Sequence, residues 1–366
     1  MRGLAGRFIE SRSGAFAPIL VLIMVPLITA VGFSVDYTSA VQTRSTEQAA
    51  LDAAILSITT MDTASTKAQR QVAMQASYLA NGGQGTATLN TFDVSANGTA
   101  TAQAAASYAM PTVFMQIARI TTVPVGVSSA VSKTPALVEA TFKVTGVSGY
   151  WNKTMTLNGT MFGAAKDKPL MTIDYTYGKT GDPKGYGTTI VSVLTTDSAG
   201  KTVTTVAQKQ VCKLVDSNTP AGAVIQTDVF KTKYYCVDTM YPAGGAGAQI
   251  NVSQMGGLNL QMHVPSGNPQ DLYSNDPATS NRLYKGAGYS TAAQKALDPS
   301  KYLPIEVASK TIVDIFDVVP CSETSDQAWE DGGNSVPAPV GNADFFYNVT
   351  GRCDFNKRPN NTRLTQ

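Results

Sequence analysis

GAFAPILVLIMVPLITAVGFSV, from Gly14 to Val35, runs for 22 residues without a charge. As a helix rising 1.5 Å per residue it would be about 33 Å long, enough for a hydrocarbon core about 30 Å thick. A cleaved signal peptide has a shorter apolar region, roughly 7–15 residues, and ends at small side chains. Here the run is longer, and Val31-Gly32-Phe33-Ser34 is too bulky for such a site. A core helix of a soluble domain is seldom apolar on every face over this length. The stretch therefore reads as an uncleaved transmembrane helix. Pro18 falls in its first turn, where a missing N–H costs little, and Pro26 falls mid-span, where membrane helices tolerate a kink.

The flanks orient the span. Arg2, Arg7 and Arg12 precede it against one Glu10, whereas Asp36 follows it and the next basic residue is Arg44. The positive-inside rule leaves residues 1–13 as a cytoplasmic tail and exports everything after Val35. Of the 366 residues only 15% are charged, against about 25% in a typical soluble protein. Thr, Ser, Ala, Gly and Asn take their place, as is common in exported β-rich domains. The net charge of +2 and the scattered basic residues leave no footprint for a nucleic acid.

All four cysteines, Cys212, Cys236, Cys321 and Cys353, follow the span. An even count in an oxidising compartment reads as disulfides, against the alternative of free buried thiols. Three connectivities are possible, and the sequential pairs 212–236 and 321–353 are favoured. Each would close a loop of a few tens of residues, for about 3–4 kcal/mol in the chain-entropy model. Zinc is disfavoured, because no two cysteines have ligand spacing and the single histidine is His263.

Residues 36–58 lack Gly and Pro and should extend the span as a helical stalk. A second helix follows, capped by Asp62 or Thr63, with Val72, Ala76 and Leu79 on its apolar face and Asn81-Gly82-Gly83 as its stop. From Gly85 the period changes to two, and Asn97-Gly98 marks a hairpin. PTVFMQIARI, from Pro111, reads as a short helix with Pro in its first turn, and TTVPVGVSSAVS as another strand. Residues 36–135 thus form a small α/β module beside the membrane.

Three pieces of this region, in order, carry a resemblance. They are Ser13-Gly14-Ala15-Phe16-Ala17 with Val35-Asp36-Tyr37, then Glu47-Gln48-Ala49-Ala50-Leu51-Asp52-Ala53-Ala54, then PTVFMQIARITTVPVGVSSAV. Over roughly residues 8–135 the chain resembles the TadE/TadG-like proteins of the tight-adherence (Flp) pilus system. The resemblance implies a bacterial inner-membrane protein with a periplasmic domain, acting in pilus assembly. Two departures narrow it. The processed pseudopilins of the family have Glu five residues after a Gly, where this chain has Ile19 after Gly14, so it is closer to the anchored TadG type. Many TadG-like proteins also carry a von Willebrand A domain with an Asp-x-Ser-x-Ser metal motif, and Asp174-Tyr175-Thr176-Tyr177-Gly178 does not supply those oxygens. Nor is Gly178-Lys179-Thr180 a phosphate loop, because Ile173 stands where that loop needs Gly.

Residues 136–366 read as β structure, with short strands rich in Thr, Val, Tyr and Ile separated by Gly, Asn, Asp and Pro. TIVDIFDVVPC and DFFYNVTGRCDF are among them, and Asp197-Ser198-Ala199-Gly200 is a hairpin turn. A two-sheet sandwich is the natural architecture. Residues 264–304 form a long insertion with weak structure.

Chemistry-bearing side chains concentrate around Trp329. Glu330, Asp331, Asn334, Asn342 and Asp344 bring three carboxylates and two amides together on a Gly-bearing loop, the donor type that Ca²⁺ takes in sets of 6–8. The competing reading is a solvated loop braced by the 321–353 disulfide. His263, in LQMHV, reads as a packed core residue, and without a second histidine no Ser-His-Asp or Cys-His arrangement can be assembled. No carboxylate pair for glycoside hydrolysis stands out. The expectation is a non-enzymatic pilus-assembly component without a cofactor. Its helix contacts the lipid bilayer through 14–35 and other assembly proteins or pilins through Ala49, Ala50, Ala53 and Ala54, whose small side chains allow close approach. The alternatives are a surface adhesin or Ca-dependent carbohydrate-binding module and, further off, an exported hydrolase.

Overall fold

A computed structural model describes residues 16–147, 149–178, 185–227, 231–267, 269–279, 283–286, 302–304, 314–331, 343–359 and 361–365. The chain forms two compact units, Met1–Pro135 with Phe355–Gln366, and Ala136–Asp354. The last twelve residues, read from sequence as part of the β-rich domain, therefore belong with the first unit.

Span and stalk are one helix, α1, Phe16–Ile58, unbroken through Pro26. Its second half is the spine of the first unit. α2, Lys67–Ala80, turns back, and β1 (Thr86–Val94), β2 (Ala100–Pro111) and β3 (Thr122–Lys133) form an antiparallel sheet. Alternate residues Ala102, Ala104 and Ala106 of β2 point at α1 and are buried. Side chains this small let the helix lie close, so that Leu51, Ile55 and Ile58 are fully buried against the sheet. Each such burial is worth about 1.5–3 kcal/mol.

α2 begins one turn later than its sequence suggests. Thr66, not Asp62 or Thr63, is the cap, and Gln69 completes a capping box with it. Its buried face is Arg70, Met74 and Tyr78, whereas Val72 and Leu79 are exposed. Arg70 decides this orientation. Its guanidinium donates through Nη1 to the Ile58 carbonyl and through Nη2 to that of Asp62, at 2.8 Å. Lys133 Nζ donates to the Thr59 carbonyl at 2.8 Å. Two buried cations thus satisfy carbonyls at and beyond the C-terminus of α1, where the helix dipole favours positive charge. Phe92 and Phe355 cover Arg70, and Phe355 also lies over Lys133.

The expected hairpin is present. Gly98, at φ 83°, donates to the Ser95 carbonyl across a turn in which Ser95 and Thr99 pair. Pro111, however, ends β2. The helical part of PTVFMQIARI is a single 3-10 turn, Met115–Ala118, within the β2–β3 connection.

The second unit is the expected sandwich. Its strands are β4 (Ala136–Val147), β5 (Lys153–Met161), β6 (Asp167–Tyr177), β7 (Gly187–Thr196), β8 (Thr202–Leu214), β9 (Gln226–Thr227) and β10 (Lys233–Met240), followed by β11 (Ala248–Asn251), β12 (Met255–Val264), β13 (Gln270–Tyr273), β14 (Leu283–Gly286), β15 (Tyr302–Pro304), β16 (Thr324–Trp329) and β17 (Phe345–Asp354). One sheet runs β13-β12-β5-β6-β7-β8-β10-β9 and the other β11-β4-β17-β16-β14-β15. Both contribute to one core, with Met155, Leu157, Met171, Ile173 and Val191 from the first and Phe142, Val144, Trp329, Phe345 and Tyr347 from the second. Gln208 of β8 also ties the sheets, accepting from Val144 N–H at 2.9 Å and donating to its carbonyl at 2.8 Å. The Asp197–Gly200 turn joins β7 to β8 as expected, and both sequential disulfides, 212–236 and 321–353, are formed.

Two readings need correction here. The 264–304 stretch is not merely an insertion: β13 extends one sheet, and β14 and β15 extend the other. In TIVDIFDVVPC, the described part is not a strand. Asp314 caps a 3-10 turn, Ile315–Asp317, by accepting from Phe316 N–H.

After β17 the chain returns to the first unit. β18, Thr362–Leu364, pairs antiparallel with β3. It completes a four-stranded sheet in the order β1-β2-β3-β18.

Candidate functional site

The N-terminal half of α1 has an exposed apolar surface. Leu22, Ile23, Met24, Leu27, Ile28, Val31 and Val35 all face outward. Among the described residues this is the one helix long and apolar enough to cross a membrane. Where the apolar run ends, Asp36 is 3% exposed and its carboxylate accepts three backbone N–H groups, from Val113 at 3.1 Å, Phe114 at 2.9 Å and Met115 at 2.6 Å. One turn earlier, Gly32 leaves room for Phe114: a Cβ there would lie 2.6 Å from the Phe114 Cβ. The β2–β3 connection is thereby clasped to the helix at residues 32–36.

The four alanines assigned to partner contact divide. Ala50 and Ala54 are buried in the first unit's own core, Ala53 is half-buried, and Ala49 is exposed. Ala50 and Ala54 already pack on the unit's own sheet, so they are not open to a partner helix. The spacing of small residues fitted either use, and the alanine row on β2 tipped it inward.

In the second unit the three carboxylates converge. Oxygens of Glu330, Asp331 and Asp344 lie within 4.8 Å of one another. Asn334 and Asn342 lie outside the described residues. The loop is not solvated at these carboxylates, since Glu330, Asp331 and Asp344 are all buried. A cation already stands among them: Lys153 Nζ is 2.6 Å from Asp331 Oδ2 and 3.1 Å from Asp344 Oδ1. Asp331 N–H donates to Asp344 Oδ2 at 3.1 Å, and Gln270 Nε2 donates to the Asp331 carbonyl at 3.2 Å. Gly149, at φ 131°, passes so near that a Cβ would meet Lys153 Nζ at 2.5 Å. A lysine ammonium in this position competes directly with any divalent ion for the same oxygens.

Lys153 was not singled out from the sequence, although a signal was there. It opens β5 in phase with Met155 and Leu157, so the alternation that buries those two also buries its side chain. The same alternation corrects His263. Met262 and Val264 point inward, which leaves His263 facing solvent, 3.0 Å from Asp271. It is neither a core residue nor part of a constellation. Asp174 accepts from the Thr154 and Thr172 hydroxyls, so its carboxylate is engaged within the sheet.

A helix long and apolar enough to serve as a membrane anchor, a small α/β unit and a disulfide-bonded β-sandwich together define a class of β-rich protein with a candidate N-terminal anchor. Residues 14–57 match the model of the family described as "Putative Flp pilus-assembly TadE/G-like". The match spans the apolar run and the part of α1 that carries Asp36 and the buried Ala50, Leu51, Ala54 and Ile55. No curated protein and no solved structure matches the chain.

Proposed function

We propose that this protein is a non-enzymatic, single-pass component of the Flp/Tad-type pilus-assembly apparatus. Its first thirteen residues lie in the cytoplasm of a bacterium, and its two folded units lie in the periplasm. The observation that carries the proposal is α1 itself. One helix is lipid-compatible in its first half and is the spine of a folded unit in its second, and the family match covers that junction. The sandwich offers other assembly proteins or the fibre a rigid, doubly disulfide-bonded body, and Ala49 leaves the stalk a small exposed site for a neighbouring helix.

The carboxylate cluster favours a structural role over a calcium-dependent adhesin, because Lys153 already pairs with two of its three carboxylates from within. The test is genetic. Deleting the gene from its source bacterium should abolish surface pili, the full chain should restore them, and a chain lacking residues 14–35 should not. Normal piliation in the deletion strain would sink the proposal.

A further inference from the structure

We infer that the connection between β2 and β3, residues 112–121, is a second membrane contact: an apolar foot that rests in the headgroup layer of the bilayer crossed by α1. The inference rests on the anchor reading and goes beyond it.

The first unit is built as a ladder along the helix. Lys133, the β3 partner of Ala100, reaches Thr59. Ser129 Oγ donates to Asp52 at 2.6 Å, Gln48 Nε2 donates to the Ser128 carbonyl at 2.9 Å, and Thr43 meets Met110. Asp36 then takes the N–H groups of Val113, Phe114 and Met115. These contacts step down α1 without a reversal. From Thr59 to Asp36 is about 35 Å at 1.5 Å per residue, and from Ala100 to Pro111 is about 36 Å at 3.3 Å per residue. The far end of the sheet therefore sits at the level where the apolar run gives way to Asp36.

At that level the foot exposes three large apolar side chains among its polar ones. Val113 is 70% exposed, Ile117 65%, and Ile120 44%. Their exposure is held in place: Thr112 N–H donates to the Thr121 carbonyl at 3.0 Å across the neck of the loop, and Arg119 takes a left-handed conformation at φ 62° to end the 3-10 turn. The surface continues the exposed apolar belt of Val31 and Val35 on α1, and Tyr37, 68% exposed, stands at the same height, the position that interfacial aromatics favour. Arg119 is the single charged residue between Val94 and Ser132, and it is exposed on the foot, where lipid phosphate would be its counter-ion. Continuity with the span, depth and charge together select a lipid surface as the occupant.

The test uses the full chain in vesicles of phosphatidylethanolamine and phosphatidylglycerol that contain a lipid spin-labelled close to its headgroup. Single cysteines replace Val31, Ile117 or Asn97, are labelled with an environment-sensitive fluorophore, and leave the paired native cysteines unlabelled. Asn97 lies on the hairpin turn at the opposite end of β2. Quenching of Ile117→Cys comparable to Val31→Cys, and at least about twofold greater than Asn97→Cys, is expected. If Val31→Cys is quenched while Ile117→Cys matches Asn97→Cys, the anchor stands and the foot is wrong. If none of the three is quenched, the anchor reading falls and takes the foot with it.

Discussion

Lys153 Nζ and Asp331 Oδ2 are 2.6 Å apart, with side chains 0% and 12% exposed, and Asp344 shares the same ammonium. Removing one partner of a buried pair leaves the other desolvated and uncompensated, typically at a cost of 3–5 kcal/mol. Lys153→Met should therefore destabilise the sandwich by about that amount. Urea unfolding followed by the fluorescence of buried Trp329 reads it. A loss below about 1 kcal/mol would mean that the cluster relaxes into water.

The same site makes a prediction about calcium. Calorimetric titration of the native protein should show no binding at this cluster. Lys153→Ala, which removes the ammonium from Asp331 and Asp344, should acquire affinity for Ca²⁺, because clustered hard oxygen donors are what the ion requires. Binding to the native protein that disappears in Asp331→Ala would contradict the structural role.

Lys133 gives the first unit a pH dependence. Burial, reinforced by nearby Arg70, pulls its pKa down from 10.5 to about 8. Below about pH 8 both folded and unfolded chains carry the proton, so the cost of burying the charge is fully present. Between about 8 and 10.5 the folded form releases the proton while the unfolded form keeps it, so stability rises with pH across that window. Lys133→Met should flatten this rise in thermal melts of the detergent-extracted protein. An identical slope in the variant would remove Lys133 as its source.

Asp36 should govern the order of the β2–β3 connection. Asp36→Ala leaves the N–H groups of Val113, Phe114 and Met115 without their acceptor. Hydrogen exchange at these amides should accelerate tenfold or more, while Ala102–Ala106 in β2 stay protected. Unchanged exchange would show that Phe114 against Gly32 suffices.

Ala50→Leu and Ala54→Leu should each cost about 1–3 kcal/mol by overpacking a filled core, whereas Ala49→Leu should lie within about 0.5 kcal/mol of the parent, as exposed positions do. If Ala49→Leu instead lowers piliation while stability holds, the exposed alanine is a partner contact.

The legible parts of this sequence were those governed by local physics. The uncharged run announced α1, Asn97-Gly98 and Asp197–Gly200 announced their turns, and many short strands rich in Thr, Val, Tyr and Ile announced a sandwich. The sequential cysteine pairing also held. What escaped depended on distant partners. α2 buries Arg70 in place of Val72 because the end of α1 needs donors, and nothing near residue 70 says so. Ala50 and Ala54 look like a helix–helix surface until the alanines of β2 are set opposite them. Lys153 was passed over and His263 misplaced for a plainer reason, since period two, applied strictly to β5 and β12, places the lysine inside and the histidine outside.

The pairing of β18 with β3 has a consequence for how the chain acquires its shape. Thr362 sits opposite Lys133, so the first unit's sheet is completed by a segment made more than two hundred residues later. Contacts this distant in sequence form slowly, because the intervening chain must be organised first. Until residues 362–364 arrive, the β3 edge at Val131–Lys133 stays unpaired and open to the wrong strand. Completion of the stalk's sheet would then report that the whole sandwich has already emerged, a checkpoint written into connectivity.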